Sequence, residues 1–427
     1  MTCGQPCPVW PPGRFLRDYE EVTEAGTATL RGMLADQLLN DGRIRSREVA
    51  EAFREVPRHL FVPNAGPAQA YADEAIGVKW AADGRPVSSS SQPSIMAIML
   101  EQLRLRPGLH VLEIGTGTGY NAALLAHLVG RTGAVVTVDI DEELAGTARQ
   151  RLTAAGYSSV VVAAGDGAAG WPGGAPYDRI VVTASARDLA PAWTGQLGDD
   201  GRLLVPLSLR GIKHSVAFRQ AGDHLASVSV VPCDFMPLTG ELAAGDPVRP
   251  LGRLPGMSLS IEGHREFDLA ALRAALKQQG QPLPTGVTIT PSYPYTGLGL
   301  WLALHDPGVG ELTAMGPAAG LSPIPAIITH IPGRASTTVL TSETSLAAIA
   351  RPPGAEQATA FECCVRGYGP DGDRLAERLA AAVRAWDSAG RPAGSTLRIR
   401  AYPAGAGDHP RAAFTITMPH TRFLLDW

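Results

Sequence analysis

Apolar positions along the chain fall into two rhythms. Over residues 27–56 they recur at helical spacing: Leu30, Met33, Leu34 and Leu38, then a break at Asn40-Asp41-Gly42. Val49, Ala50, Phe53 and Val56 continue it, with Ser46 as N-cap and Pro57 as the stop. After an irregular stretch at 64–85, Ile95, Ile98, Met99 and Leu103 predict a helix with Pro93 in its first turn. From residue 110 short apolar runs alternate with amphipathic stretches. Strands are expected at 110–114, 134–140, 160–164, 177–182 and 201–207, with helices after the first two and a short one at 190–197. Residues 216–219 and 225–231 read as a closing antiparallel pair. Strands alternating with helices give a mostly parallel sheet covered on both faces.

The rhythm stops near Pro237. Residues 238–256 are rich in Gly, Pro and Leu and read as a linker. Beyond them, strand-like runs at 257–262, 286–290, 298–304, 325–330, 361–367, 396–402 and 412–418 mix with helical stretches at 267–279 and 373–388. The expected organisation is a loose arm over 1–26, an α/β domain over 27–237, the linker, and a C-terminal α+β domain over 257–427. At 427 residues two domains are the prior.

Composition narrows the class. Apolar content of 45% and charged content of 18% are those of a globular protein. No apolar run approaches the ~20 residues of a membrane span. Residues 1–26 lack a basic stretch followed by an apolar core, so the cytoplasm is the expected compartment. The net charge is −4, and lysine occurs only at 79, 213 and 277. No basic patch forms, which argues against nucleic acid as a partner. Five cysteines, two of them adjacent (Cys363 and Cys364), suit neither a disulfide framework nor a zinc site. The histidines show no metal-ligand spacing, so no metal is expected.

The candidate chemistry centres on 109–126, LHVLEIGTGTGYNAALLA. Gly115, Gly117 and Gly119 stand at alternate positions between a buried strand and a helix. Glycine suits such a turn because it tolerates positive φ and lets a ligand lie against the backbone. A bare glycine turn is also compatible with an ordinary connection. The spacing is GxGxG, not the GxGxxG of dinucleotide enzymes, and Glu113 precedes it. A carboxylate there would repel a pyrophosphate but suits the cationic methionine end of S-adenosylmethionine (SAM). Asp139 closes the next strand about 20 residues on, where a carboxylate reaches ribose hydroxyls. Asp166 lies between Gly165 and Gly167 at a third strand end; it reads either as a turn residue or as an acceptor for an adenine amino group. The four serines at 88–91 read as a linker or helix-capping stretch, or as functional residues at a helix entrance rich in free N–H groups.

Taken in order, these pieces resemble protein-L-isoaspartate O-methyltransferases over about residues 31–238. The resemblance is carried by VPRHLFVP at 56–63, SSQPS at 90–94, VLEIGTGTGY, the Asp139 strand end, GDG at 165–167, APYDRIVVTA at 175–184 and QLGDDGRLLVPL at 196–207. It implies a Rossmann-like SAM-dependent methyltransferase sheet, mostly parallel with an antiparallel end. SAM contacts are implied at Glu113, Gly115, Gly117, Asp139 and Asp166, with Thr116, Gly119, Ile140 and Gly167 beside them, and S-adenosyl-L-homocysteine as the spent donor. Ser91 falls on the family's active-site serine and Ser89 on its threonine. The chain departs from the family at Ser89-Ser90, in place of Thr-Ile, and at Leu207, in place of Gly.

The second half, through FECCVRGYGPDGDRLAERLAAAVRAWDSAGRP and the closing TRFLLDW, is similar to the C-terminal extension of actinobacterial homologues encoded with lanthipeptide and other peptide-tailoring genes, among them the "methyltransferase, FxLD system" group. That resemblance implies methylation of an aspartate in a ribosomal peptide, with the ester collapsing to a succinimide and then to isoaspartate. The alternative is a general isoaspartate repair enzyme with an accessory domain. In either case the implied partner is a peptide or protein substrate, with no membrane and no metal involved. No His or Lys partner for a serine nucleophile is evident, so Ser91 is expected to orient a carboxylate.

Overall fold

The computed structural model describes residues 24–427 apart from 82–85, 244–247, 252–255, 263–265, 278–279, 294–295, 316–333, 356–357 and 408. The expected arm (all but its last three residues), the strand expected at 325–330, the end of the 267–279 helix and parts of the 238–256 linker lie outside the described residues.

A hairpin comes first, β1 (Ile76–Trp80) against β2 (Pro86–Ser90). Five strands then alternate with helices: β3 (His110–Ile114), β4 (Ala134–Asp139), β5 (Val161–Ala164), β6 (Tyr177–Val182) and β7 (Leu197–Leu209). They pair in parallel in the order β7-β6-β3-β4-β5. β3 is central and buried from its second residue onward, as an apolar run with layers on both faces must be. The chain steps outward from β3 to β5, then returns to the other side of β3 as β6. Ligands of open α/β sheets bind at the carboxyl ends of the strands, where the order reverses in this way. β8 (Ile212–Ala221) and β9 (His224–Pro232) continue the sheet antiparallel beyond β7.

The second sheet is antiparallel throughout. It comprises β10 (Val248–Pro250), β11 (Met257–Ile261), β12 (Pro282–Ile289), β13 (Val309–Met315), β14 (Arg334–Thr341), β15 (Leu346–Ala350) and β16 (Phe361–Tyr368), in the order β10-β11-β13-β14-β15-β16-β12. Helices Leu298–His305 and Gly372–Ser388 cover one face and helix Leu269–Ala275 the other.

Two expectations need correction. The run at 298–304 is a helix, not a strand. It is apolar all round because it packs into two cores at once, and an apolar run without periodicity does not separate the two states. The C-terminal unit also does not keep to itself. Its last strands, β17 (Arg398–Pro403), β18 (Phe414–Thr417) and β19 (Thr421–Asp426), return to the first sheet, where β17 pairs with β9. Among the described residues the first sheet therefore has ten strands. Leu397, Ile399, Phe423 and Leu425 complete the core on one of its faces beside Tyr177, Trp193 and Phe218. Helices Arg47–Glu55, Pro93–Leu103 and Tyr120–Val129 fill the core on the other. No helix among the described residues is long and apolar enough to cross a membrane.

Candidate active site

The glycine turn leaves β3 at the switch point. Gly115 has φ +98°, and a Cβ there would collide with Thr183 Oγ1 at the end of β6. That hydroxyl donates to Gly115 O at 2.7 Å, which locks the turn to the neighbouring strand. The Gly117 N–H donates to Asp139 Oδ2 at 2.9 Å, and Asp139 Oδ1 accepts from Asp141 N at 3.0 Å. Asp139 thus ties the end of β4 to the turn. Ile140 beside it is 47% exposed, a large apolar side chain left in water at the same edge.

Glu113 lies beneath the turn with no exposed surface. Its Oε1 accepts from Asn121 Nδ2 at 2.7 Å and its Oε2 from Thr137 Oγ1 at 2.6 Å. The Thr116 and Thr137 hydroxyls meet at 2.8 Å, which extends the chain of hydrogen bonds to the turn itself. Burial raises the carboxyl pKa to about 7, against the two donors, which pull it down. Glu113 therefore braces the turn from inside the protein.

Asp166 follows β5. Its Oδ1 accepts from Ala168 N at 2.9 Å, capping a single helical turn. Its Oδ2 accepts from Glu241 N at 2.7 Å, and Gly240 (φ +92°) presses against the carboxylate. Gly167 is buried under Ile114, where a Cβ would collide. Residues 240–241, expected as linker, thus close one end of the site.

The serines are neither linker nor cap. Ser88, Ser89 and Ser90 lie in β2, and helix Pro93–Leu103 has Gln92 at its N-cap with no side-chain cap bond. Asp73 supplies the missing acceptor: its Oδ1 takes Ser94 N at 2.8 Å and its Oδ2 takes Gln92 Nε2 at 3.1 Å. Strand alternation turns Ser88 and Ser90 inward and leaves Ser89 and Ser91 partly open. A Cβ on Gly117 would lie 3.6 Å from Ser89 O and 3.8 Å from Ser88 Oγ, so hairpin and glycine turn are neighbours. The structure brings together the two segments that sequence spacing placed 26 residues apart.

Arg58, from VPRHLFVP, was not foreseen. It has no exposed surface. Nη1 donates to Ala70 O and Ala72 O at 3.0 and 3.1 Å; Nη2 donates to Glu74 O and Ser91 O, each at 3.0 Å, and to Ser90 Oγ at 3.4 Å. Its guanidinium carbon sits 5.8 Å from the Tyr120 ring, the first residue of the helix after the glycine turn. Desolvation lowers its pKa, but a guanidinium stays charged. One buried cation thus fixes the backbone of Ser91 against both flanking segments. An arginine between prolines in an otherwise apolar stretch was the available signal.

Another cleft, of about 370 Å³, is lined by His110, Ala134, Val136 and residues 173–177, at the starting ends of β3, β4 and β6. That is the end opposite the glycine turn. Among the described residues there is no group of three or more His, Cys, Asp or Glu that could hold a metal.

The residues present fit SAM. A backbone cradle at 115–119 faces the serine hairpin, two carboxylates end adjacent strands β4 and β5, and Ile140 offers an apolar wall between them. Among known proteins, the chain is 38% identical to the protein-L-isoaspartate O-methyltransferase of Hyperthermus butylicus over 236 residues, covering 53% of this chain and 93% of that one. A solved protein-L-isoaspartate O-methyltransferase aligns over 87% of this chain and 96% of its own, at 23% identity and a TM-score of 0.49. A Plasmodium falciparum β-aspartate methyltransferase, solved with S-adenosyl-L-homocysteine, aligns over 49% of this chain and 98% of its own at 17% identity and a TM-score of 0.44. The model of the protein-L-isoaspartate(D-aspartate) O-methyltransferase family matches residues 30–243, half the chain and every candidate residue above, and the chain belongs to that family.

Proposed function

We propose that this chain, a SAM-dependent methyltransferase, esterifies the free carboxylate of an L-isoaspartyl residue in a polypeptide. One observation carries the reading: the serine hairpin lies against the glycine turn, with Ser88 Oγ and Ser89 O nearest Gly117, and leaves Ser89 and Ser91 partly open. SAM, when bound, supplies an electrophilic methyl group. Gly115–Gly119, Asp139 and Ile140 would hold it, with Asp166 at the adenine end and Glu113 bracing the turn.

The acceptor carboxylate is already ionised near pH 7, so no general base is needed. What remains is orientation. The Ser91 hydroxyl donates to one carboxylate oxygen and aims the other, and Arg58 holds the Ser91 backbone in place. The ester then breaks down without further help. The backbone nitrogen of the next residue bonds to the ester carbon, the C–OCH3 bond breaks, and methanol leaves with the N–H proton. The succinimide that forms hydrolyses to aspartate or isoaspartate.

A second reading has an aspartate of a ribosomal peptide, such as a lanthipeptide, as acceptor, with the C-terminal half selecting it. It is favoured by where that half docks. Arg187 pairs with Glu262, the residue after β11 of the second sheet, and Asp188 Oδ2 accepts from His420 N at 2.7 Å. Both belong to the loop after β6, at the catalytic ends of the strands.

One experiment tests both readings. The protein is incubated with SAM and either a simple isoaspartyl peptide or a lanthipeptide carrying an ordinary aspartate, and products are read by mass. Ester on the simple peptide is expected. Turnover of only the lanthipeptide would replace the first reading by the second. Ser91→Ala should slow transfer by about 100-fold or more, within the range of a lost orienting group, with SAM affinity kept; an unchanged rate would refute its role.

A further inference from the structure

The exposed side of the hairpin holds an indole that the methyl transfer does not use. Trp80 is 56% exposed. Gly77 pairs with Ser89 across the hairpin, and directly opposed residues of an antiparallel pair share a face. Gly77 has no side chain, and the place of its Cβ is taken by the Trp80 indole, whose Cζ2 lies 2.8 Å from that position. Regular alternation would send residues 77 and 80 to opposite faces. Register shifts between Gly77 and Lys79 and between Lys79 and Trp80 break that alternation, as bulges beside active sites do. The indole therefore stands next to Ser89 on the open face that Ser89 and Ser91 share. The strand is held there by Lys79, whose Nζ donates to Asp141 Oδ2 at 2.5 Å and to Glu143 Oε2 at 2.9 Å. A rigid aromatic surface beside an acceptor site is the usual anchor for an apolar side chain.

Building on the isoaspartyl reading, we propose that Trp80 determines specificity: its indole receives the side chain of a residue flanking the acceptor, favouring substrates in which that residue is aromatic. Two isoaspartyl peptides test it, identical except that the acceptor is flanked by Phe in one and by Ala in the other. The wild-type KM should be about tenfold lower for the Phe peptide, the size of an apolar subsite contact. In Trp80→Ala the ratio of the two KM values should fall to about one, and Trp80→Phe should retain most of it. Calorimetric binding of S-adenosyl-L-homocysteine verifies that the variants are folded. Equal KM values in the wild type, or a ratio that Trp80→Ala leaves intact, would overturn the proposal. If neither peptide is methylated, the isoaspartyl reading fails by itself. Binding of the same two sequences carrying plain aspartate, with S-adenosyl-L-homocysteine present, then decides the role of Trp80: a Phe preference lost in Trp80→Ala supports it, and equal affinities refute it.

Discussion

Replacing Glu113 with Gln should change how stability depends on pH, and the size follows from its burial. The folded carboxyl has a pKa of about 7 against an ordinary 4.5. The native state therefore keeps a proton that the unfolded chain has released between those values. The sign is fixed: the contribution is fully present below pH 4.5, is lost as pH rises to 7, and is absent above. At about 1.4 kcal/mol per pH unit of displacement the span is about 3 kcal/mol. The wild-type curve alone would hide it. His214, buried in β8, has its pKa lowered by desolvation to about 4 from 6.5. The unfolded chain binds the extra proton there, so this stability is lost as pH falls from 6.5 to 4. The two slopes oppose each other over nearly the same range. The measurement is thus a difference: denaturant unfolding of wild type and Glu113→Gln at several values from pH 4.5 to 7.5. Wild type should gain on the variant by about 3 kcal/mol on acidification. A constant gap would show that Glu113 is ionised in its pocket and would refute the argument. SAM affinity gives a second readout. If the ionised form steadies the turn for a cationic ligand, the wild-type Kd should tighten as pH rises through 7, and the variant should show no such step.

Two further outcomes concern the cations Arg58 and Arg187. Arg58→Met would strip donors from four carbonyl oxygens at Ala70, Ala72, Glu74 and Ser91, a loss of roughly 3 kcal/mol or more after water re-enters; kcat should fall at least tenfold while the Kd for S-adenosyl-L-homocysteine stays within about twofold, and an equal loss of both would reduce Arg58 to a general packing role. Glu262→Ala would leave Arg187 facing a mostly buried gap, at about 2–3 kcal/mol, somewhat below a fully buried pair; hydrogen exchange should quicken together at 185–188 and 257–262, and quickening at 257–262 alone would show that the two sheets are not coupled there.

What could be read from the sequence followed from local periodicity and turn chemistry. The strands β3 to β7, the glycine turn and the acids at the ends of β4 and β5 were placed because a buried parallel strand is a short apolar run and its end carries Gly or Asp, and β8 and β9 because their apolar runs read as a closing antiparallel pair. The hairpin was not. β2 is a run of serines, with no apolar alternation to betray a strand, and β1 lies in a stretch that read as irregular. A capping role for the serines stayed open because the actual acceptor, Asp73, is 21 residues upstream of Ser94. Arg58 was passed over because a charged residue reads as surface until five acceptors are seen around it. The return of β17 to β9 joins residues more than 170 apart in the chain, and the Ile399 N–H even donates to Ser227 Oγ. Local patterns carry no information about such pairing.

That return changes how the C-terminal half can be interrogated. Removing it at the linker would expose the edge of β9 and uncover the apolar face that Leu300, Leu397, Ile399, Phe423 and Leu425 share with the catalytic strands. It would also remove Glu241, whose N–H holds Asp166 at the end of the cofactor site. A truncated chain that failed to methylate would therefore report a damaged sheet, not a lost reader of substrate. Point changes separate the two. Glu262 and Trp80 lie on opposite sides of the question: one tests whether the second sheet steadies the loop after β6, the other whether the hairpin itself selects the peptide. If Trp80→Ala erases the preference among peptides while Glu262→Ala leaves it intact, selection resides in the family-matched half, and the C-terminal half acts as support for the sheet that its last strands extend.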